Sequence, residues 1–350
     1  MWSKYPNGSA TKYDTMNGQF PIDAVIAWVD GDDPRHRAKR TAWMQGGREA
    51  LFDDIAGETR YRQAGEIIFC VASILRFAPF IRKIHIVTDS QVPALDDFLT
   101  ENFPDNNIPV EIVDHKVIFD GYEHFLPTFN SLSIETMLWR IPDLAEHYVY
   151  LNDDFTIISP VSRQDFFTDE GWPVVYADAR PVWWARMLHA LKPKRNGHKP
   201  FGFKDSLLNA AEAAGTERTF LLMDHTPYPM NARVMKNYFE EHPQQMIVNL
   251  RHRFRDAEQY NPQALFYELM RRSGECRTVS PRDKLIYMKP KPRQTGYIAR
   301  KVRRAEESRT ALFMCANSLD AAEPREAEVL RQWLCKRLSI TITRQTTQPS

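Results

Sequence analysis

The chain has 350 residues, of which 43% are hydrophobic and 26% charged, with a formal net charge of +1. That composition supports a packed core and excludes global disorder. The near-neutral balance also excludes a nucleic-acid partner held by bulk charge, and leaves only local basic patches to consider.

The opening segment, MWSKYPNGSATKYDTMNGQF, has no apolar core, so residues 1–20 read as a loose arm and not as a secretory signal. IDAVIAWVD (22–30) predicts a buried strand that stops at Gly31, Asp32, Asp33 and Pro34. RHRAKRTAWMQ predicts a helix, and AGEIIFCVASILRFA a stronger one. IRKIHIVTD (81–89) is a second strand ending in Asp89, ALDDFLTENF a short helix, and VEIVDH (110–115) a third strand. SLSIETMLWRIPDLAEH reads as helix until Pro142, and YVYLNDD as a fourth strand.

Strand and helix alternate through these first 160 residues, which predicts a doubly wound, mostly parallel α/β sheet with crossover helices, Rossmann-like in kind. Such sheets bind ligands beyond the carboxyl ends of their strands. Asp30, Asp89, His115, Asp153 and Asp154 all fall at or near such ends. The C-terminal half is less regular and more helical. Residues 186–204 are basic and loop-like; 231–242 and 262–273 read as helices. Residues 281–304 are basic with Tyr287 and Tyr297 interleaved, and TALFMCAN reads as a late strand. EPREAEVLRQWLCKRL has Pro and acids in its first turn and Lys/Arg in its last, as an amphipathic helix should. The final residues, 341–350, read as a frayed tail.

The four cysteines, Cys70, Cys276, Cys315 and Cys335, form no CxxC pair and read as reduced, mostly buried thiols. No apolar run approaches the roughly 18–20 residues of a membrane span, so a cytoplasmic protein is the expectation.

Asn152, Asp153 and Asp154 end an apolar strand with two adjacent carboxylates. They are either a solvated strand end with a turn cap or a site for a hard divalent cation, whose charge would offset their repulsion. Glu135 lies one turn into a helix among apolar neighbours, and is either a structural acid or a site acid. Asn130 and Ser131 stand where that helix starts, the pattern of an ordinary cap. His225, within DHTPYPMN (224–231), is held between stiffening prolines and can cap a helix or present its imidazole. The Arg/His cluster at 251–255 suits a solvated face or, through bidentate contacts, a phosphate.

Taken together, these stretches resemble the Stealth family of sugar-1-phosphate transferases, which includes bacterial capsular polysaccharide phosphotransferases and the lysosomal N-acetylglucosamine-1-phosphotransferase of animals. IDAVIAWVDGDDP looks like the first conserved block, and RYRQAGEIIFCVASILRFAPFIRKIHIVTDSQVP through FLPTFNSLSIETMLWRIPDLAEHYVYLNDDF like the second. DHTPYPMN with residues 251–270 looks like the third, and FMCANSLD like the fourth. The resemblance implies transfer of a hexose-1-phosphate, an N-acetylhexosamine-1-phosphate as the expectation, from a UDP-sugar to a saccharide hydroxyl. UMP is released, the setting is capsular or exopolysaccharide synthesis, and the implied cofactor is Mg²⁺ or Mn²⁺.

Carried over residue by residue, the resemblance implies Asp153 and Asp154 as metal ligands. It implies His225, Arg255, Glu135, Asn152 and Asn317 as catalytic groups, with His225 or Glu135 as the base. Asp23, Trp28, Asp30, Asp33 and Asn130 are implied on the nucleotide side. Arg253 is a near alternative to Arg255. Ser318 stands where the family often shows Asp, which puts an acidic role there in doubt. A single catalytic domain over 21–340 is expected, with the nucleotide and metal half at about 21–180 and the acceptor and phosphate half at about 181–340. A metal-dependent glycosyltransferase releasing UDP is the alternative reading, and a non-catalytic polysaccharide- or membrane-binding module a further one. In either enzyme reading the partners are a UDP-sugar and a saccharide acceptor, with no nucleic acid. Residues 281–304 suit a solvated face or a peripheral contact with the inner face of a membrane.

Overall fold

A computed structural model describes residues 20–45, 65–191 and 201–342. The expected N-terminal arm, except Phe20, and the expected tail, except Thr341 and Ile342, lie outside the described residues. So does 192–200, the middle of the expected basic loop at 186–204.

The first half alternates as the pattern predicts. In order come β1 (Ile22–Ala27), α1 (Pro34–Gln45), α2 (Glu66–Phe77), β2 (Ile81–Thr88), α3 (Asp96–Asn102), β3 (Val110–Asp114), α4 (His115–Ile118), α5 (Ser131–Met137) and β4 (His147–Asn152). β5 (Phe155–Ile157), β6 (Val174–Pro181), α6 (Val182–Ala190), α7 (Phe203–Ala213), β7 (Thr219–Met223) and β8 (Tyr228–Asn231) follow. The remaining elements are α8 (Ala232–Glu241), α9 (Pro243–Leu250), α10 (Pro262–Ser273), β9 (Arg277–Val279), β10 (Leu285–Met288), α11 (Tyr297–Glu307), β11 (Phe313–Ala316) and α12 (Pro324–Leu338).

The main sheet has the order β3-β2-β1-β4-β8, with β8 alone antiparallel to its neighbour. β1 is central and covered on both faces, which is why it is apolar except at Asp23. α2 is apolar nearly all round, and Ile67 to Ile74 are buried; Ile74→Ala would cost about 2–5 kcal/mol. Its start is set by Gly65, whose φ of 80° lies in the left-handed region that glycine enters without a Cβ clash.

Beyond β4 the chain turns through Asp153 and Asp154 into β5. That strand leaves the main sheet and pairs antiparallel with β11, which in turn pairs with β10. A third sheet, β7-β6-β9, supports the segment carrying His225. The mostly parallel sheet and the helical C-terminal half agree with the sequence.

Three local expectations are corrected. Residues 182–190 form α6, so the start of the expected loop at 186–204 is helix. α5 ends at Met137 and tightens into a 3₁₀ turn over 138–140, ahead of Pro142. α9 was not expected; Pro243 at its first position starts it immediately after α8. The expected α12 is present, and its first-turn acid has a clear task. Glu326 accepts from the Gly296 and Ile298 amides at 2.7 and 2.9 Å and so caps α11. α11 buries Ile298, Val302 and Ala305 and turns Arg300, Arg303 and Arg304 outward. No helix among the described residues is long and apolar enough to cross a membrane.

Candidate functional site

The site is assembled at the carboxyl edge of the main sheet. Asn152 is the last residue of β4 and lies opposite Ala27, the last residue of β1. The chain then reverses within two residues, because β5 must leave the sheet to pair with β11. That reversal places Asp153 and Asp154 on a tight turn. The turn is pinned from both sides: the Ala316 amide donates to the Asp154 carbonyl at 3.1 Å, and the buried Cys70 thiol lies 3.7 Å from the Asn152 carbonyl oxygen.

Asp154 is the most constrained acid. Its Oδ2 faces the Cys315 thiol and the Asn317 amide, each at 3.4 Å. Its Oδ1 is buried with no hydrogen-bond partner among the described residues. Burial pushes its pKa up, against the pull of His225, Cys315 and Asn317. An ionised buried oxygen without a partner is destabilising unless a cation or donor meets it. Hard oxygen ligands on a turn, one of them orphaned, fit a divalent ion of the Mg²⁺ or Mn²⁺ type.

His225 stands within electrostatic reach of Asp154. It follows β7, and its ring stacks on Phe203 and Tyr287 with centroids 5.0 and 5.1 Å away. Phe155 packs against the same ring in a T-shaped arrangement, with centroids 6.3 Å apart. Burial lowers its pKa, opposed by Asp154 and Asp224 and reinforced by Lys289 and Arg255. Burial and the two cations thus favour the neutral imidazole.

Glu135 lies behind the turn. It is buried, and the Tyr150 hydroxyl lies 3.1 Å from its Oε1 and 2.7 Å from Asn152 Oδ1, with one proton to give between the two. Burial raises its pKa, while Arg255, Tyr150, Gln263 and Ser131 pull it back in part. Arg255 reaches this group by donating to Ser131 Oγ at 2.8 Å. Asn317 is oriented by Ser318, whose hydroxyl donates to its Oδ1 at 3.1 Å, turning the amide nitrogen toward Asp154. Ser318 holds φ 57°, a left-handed conformation that Asp and Asn accept more readily.

The structure thus brings together Glu135, Asn152, Asp153, Asp154, His225, Arg255 and Asn317, residues drawn from five separated stretches. Two expected site residues are corrected. Asp23 lies near the amino end of β1, opposite Tyr148, four positions of register from the Ala27–Asn152 pair. That is about 13 Å of strand. Its buried carboxylate is held by Arg82 at 2.8 and 2.6 Å, by His85 at 3.2 Å and by the Ala145 amide at 2.8 Å. It ties the bottom of the sheet.

Asn130 is fully buried and its polar atoms are taken by protein. Its Nδ2 donates to the carbonyls of His252 and Phe254 and to Gln259 Oε1, and its Oδ1 accepts from Leu132 as the cap of α5. It holds the loop carrying Arg255. Arg253, the near alternative to Arg255, donates to the carbonyls of Phe125, Pro127 and His124 and lies 4.0 Å from the Trp43 ring centroid. Its guanidinium is a bracket between loops.

Asp30 and Asp33 lie at the end of β1 beside Gln91. The Gln91 amide group links the two, and Asp33 also caps the start of α1. Trp28 is buried, and its indole nitrogen has no hydrogen-bond partner among the described residues. Elsewhere, His252, Asp256 and Glu258 bring ligand atoms within 4.8 Å of one another. There Arg251 already pairs with Glu258, which puts a cation where a metal would sit.

Sequence reasoning missed Tyr150, Cys315, Tyr287 and Phe203. Tyr150 was legible in principle: two residues before Asn152 on a strand, it shares that residue's face. The others come from distant segments whose approach only the fold defines.

An open α/β sheet with this polar cluster beyond the carboxyl ends of its strands defines an α/β protein of the class that binds ligands at that edge. Within it, the chain belongs to the Stealth family: Stealth conserved region 1 matches residues 20–48 and conserved region 2 matches residues 60–175. The receptor polysaccharide phosphotransferase WefC of Streptococcus gordonii is 30% identical over 261 residues, covering 69% of this chain and 75% of that protein. An exopolysaccharide phosphotransferase of Streptomyces coelicolor is 31% identical over 261 residues, 71% of this chain and 40% of that protein. A second from the same organism is 34% identical over 258 residues, 71% and 42%. The chain therefore spans about two fifths of the length of these Streptomyces relatives. Among solved structures, the galactosyltransferase LgtC is similar at 14% identity and a TM-score of 0.45, covering 92% of this chain and 98% of that one. His225, Arg255 and Asn317 lie beyond both matched regions, and folding returns them to the Asn152–Asp154 turn of region 2.

Proposed function

We propose that the chain transfers a sugar-1-phosphate from a UDP-sugar to a saccharide hydroxyl, releasing UMP, in the building of a capsular or exported polysaccharide. An N-acetylhexosamine-1-phosphate is the first donor group to test. The observation that carries the reading is Asp154 Oδ1, a buried carboxylate oxygen with no hydrogen-bond partner among the described residues, within electrostatic reach of the His225 imidazole. The curated relatives named as polysaccharide phosphotransferases support it.

In this reading Asp153 and Asp154 would hold Mg²⁺ or Mn²⁺, which supplies charge neutralisation at the diphosphate. The chain's own groups do the rest. Arg255 and the Asn152 and Asn317 amides hold phosphoryl oxygens and stabilise their charge as it shifts. His225 takes the proton of the acceptor hydroxyl. That oxygen bonds to the phosphorus carrying the sugar, and the bond from this phosphorus to the bridging oxygen breaks. The electron pair leaves with UMP. Little covalent chemistry is asked of the protein, so positioning dominates. Glu135 is less suited to be the base, because burial favours its protonated form and Tyr150 occupies one oxygen.

The test uses a UDP-sugar labelled at the β-phosphorus. Label recovered in the saccharide supports phosphoryl attack. Label retained in UDP with the sugar transferred would replace the reading with a glycosyl transfer.

A further inference from the structure

From Lys284 to Ala305 the chain has no acid, and six exposed bases fall within that stretch: Lys289, Lys291, Arg293, Arg300, Arg303 and Arg304. None of the six takes part in an ion pair among the described residues. The acids around them are engaged or outnumbered. Glu326 is held by the Gly296 and Ile298 amides, and Glu306 accepts from the Trp333 indole at 3.2 Å. Asp283 precedes the stretch and Glu307 follows it. Arg300, Arg303 and Arg304 lie three and four residues apart on α11, so their charges repel one another, with Glu307 as the one acid on the same face.

The basic row begins at the reacting centre. The Tyr287 ring stacks on His225 with centroids 5.1 Å apart, and Lys289, two residues on, acts electrostatically on the same imidazole. The Lys289 amide donates to the Tyr297 hydroxyl at 3.1 Å, which ties the exit of β10 to the first residue of α11. From there the helix runs on for about 16 Å at 1.5 Å per residue. A single phosphate would meet one or two of these bases, whereas an anion with charges spread along its length would meet them all. A membrane surface fits less well. α11 turns Ile298, Val302 and Ala305 inward, and no large hydrophobic side chain is exposed from 281 to 309. Helices that bind at a bilayer interface place such side chains among the acyl chains.

The proposed reaction itself makes an extended anion. Each sugar-1-phosphate joined to a hydroxyl leaves a phosphodiester, which keeps one negative charge at neutral pH. We propose that the surface from Lys289 to Arg304 binds an acceptor saccharide that already carries phosphodiesters, so that the product of one transfer is held as the acceptor of the next. Arginine suits that task, since its planar fork meets two phosphate oxygens at once. The role in turnover rests on the sugar-1-phosphate transfer reading; binding to the surface does not.

The experiment measures binding by calorimetry to synthetic N-acetylglucosamine oligomers joined by one, three or five phosphodiester bonds, and to uncharged chitohexaose. Affinity should rise with the number of phosphodiesters, to at least tenfold above chitohexaose for five, and fall as salt screens the exposed charges. The triple variant Arg300→Gln, Arg303→Gln, Arg304→Gln keeps good helix formers on α11. It should weaken the five-phosphate oligomer at least tenfold, change UMP affinity less than twofold, and raise the KM of the charged acceptor about tenfold. Should it fail to fold, Lys291→Gln with Arg293→Gln, ahead of α11, decides, with an expected three- to fivefold weakening. Equal affinity for charged and uncharged saccharides, or charged-saccharide binding unaltered in the folded variants, overturns the proposal. So does co-sedimentation with phosphatidylglycerol vesicles that the variants abolish while saccharide binding persists, which would give the surface to a membrane. Charge-dependent saccharide binding in a protein that never releases UMP would keep the surface and overturn the reaction instead.

Discussion

The Tyr150 hydroxyl donates to Asn152 Oδ1 across 2.7 Å. The Tyr150 hydroxyl oxygen also stands 3.1 Å from Glu135 Oε1. A hydroxyl has one proton to give, so when it serves Asn152 the Glu135 carboxyl must bring its own. Burial, which raises the Glu135 pKa, favours that arrangement. The chain Glu135–Tyr150–Asn152 thus sets which way the Asn152 amide faces. Tyr150→Phe is expected to lower kcat about five- to tenfold, as loss of roughly 1 kcal/mol of orienting hydrogen bond. The donor KM should move less than twofold. A kcat within error of wild type would separate Tyr150 from the site.

Arg253 and Arg255 are two residues apart and should behave oppositely. Arg255→Ala is expected to lower kcat by about a hundredfold or more, as for loss of a charge-stabilising donor, with little change in stability. Arg253→Ala removes a clamp on three carbonyls. It should destabilise by about 1.5–3 kcal/mol while turnover per folded molecule persists. Urea denaturation and turnover on the same samples would check both, and reversed phenotypes would exchange the two roles.

Asp23 supplies a pH dependence of stability. Burial alone would raise its pKa, but hydrogen bonds from Arg82, His85 and the Ala145 amide bring it down to about 2. A folded pKa below the unfolded one means the unfolded chain binds more protons in between. Stability from this group is therefore present above pH 4 and lost as pH falls toward 2. The expected loss is about 1–2 kcal/mol, since the Arg82 side chain is half exposed. Asp23→Asn should flatten that part of the profile, lower stability at pH 7 and leave nucleotide affinity unchanged. Lost UMP affinity in a folded variant would return Asp23 to the nucleotide site.

Metal binding has a readout that needs no substrate. Saturating Mn²⁺ should raise the thermal midpoint of the wild-type chain, as any ligand of the native state does, by the equivalent of about 2.7 kcal/mol at a hundredfold excess over Kd. Asp154→Ala should abolish the rise. An equal rise in the variant would place the ion elsewhere.

The main sheet was legible because its strands announce themselves. IDAVIA, IRKIHIVT and HYVYLN are rich in β-branched and aromatic residues and are each followed by an acid within three residues, and the helices between them carry their own period. The acidic turn was legible for the same reason, since two carboxylates after a buried strand have no bland partner in the local sequence. Asp23 was misread because its partner, Arg82, is 59 residues away and meets it only when β1 and β2 pair. Asn130 was legible as a cap, but its three contacts to the 252–259 loop depend on how α5 packs beside α9. α6 escaped because two adjacent tryptophans, exposed at 66% and 41%, give no apolar stripe to one side.

The most direct test of the central claim is the identity of the nucleotide released. Purified protein would be incubated with UDP-N-acetylglucosamine, or a panel of UDP-sugars, and an oligosaccharide acceptor, in Mg²⁺ or Mn²⁺ and in EDTA. The account predicts UMP, formed only with metal and lost in Asp154→Ala and His225→Ala. UDP in place of UMP, or UMP formed equally in EDTA, would contradict it.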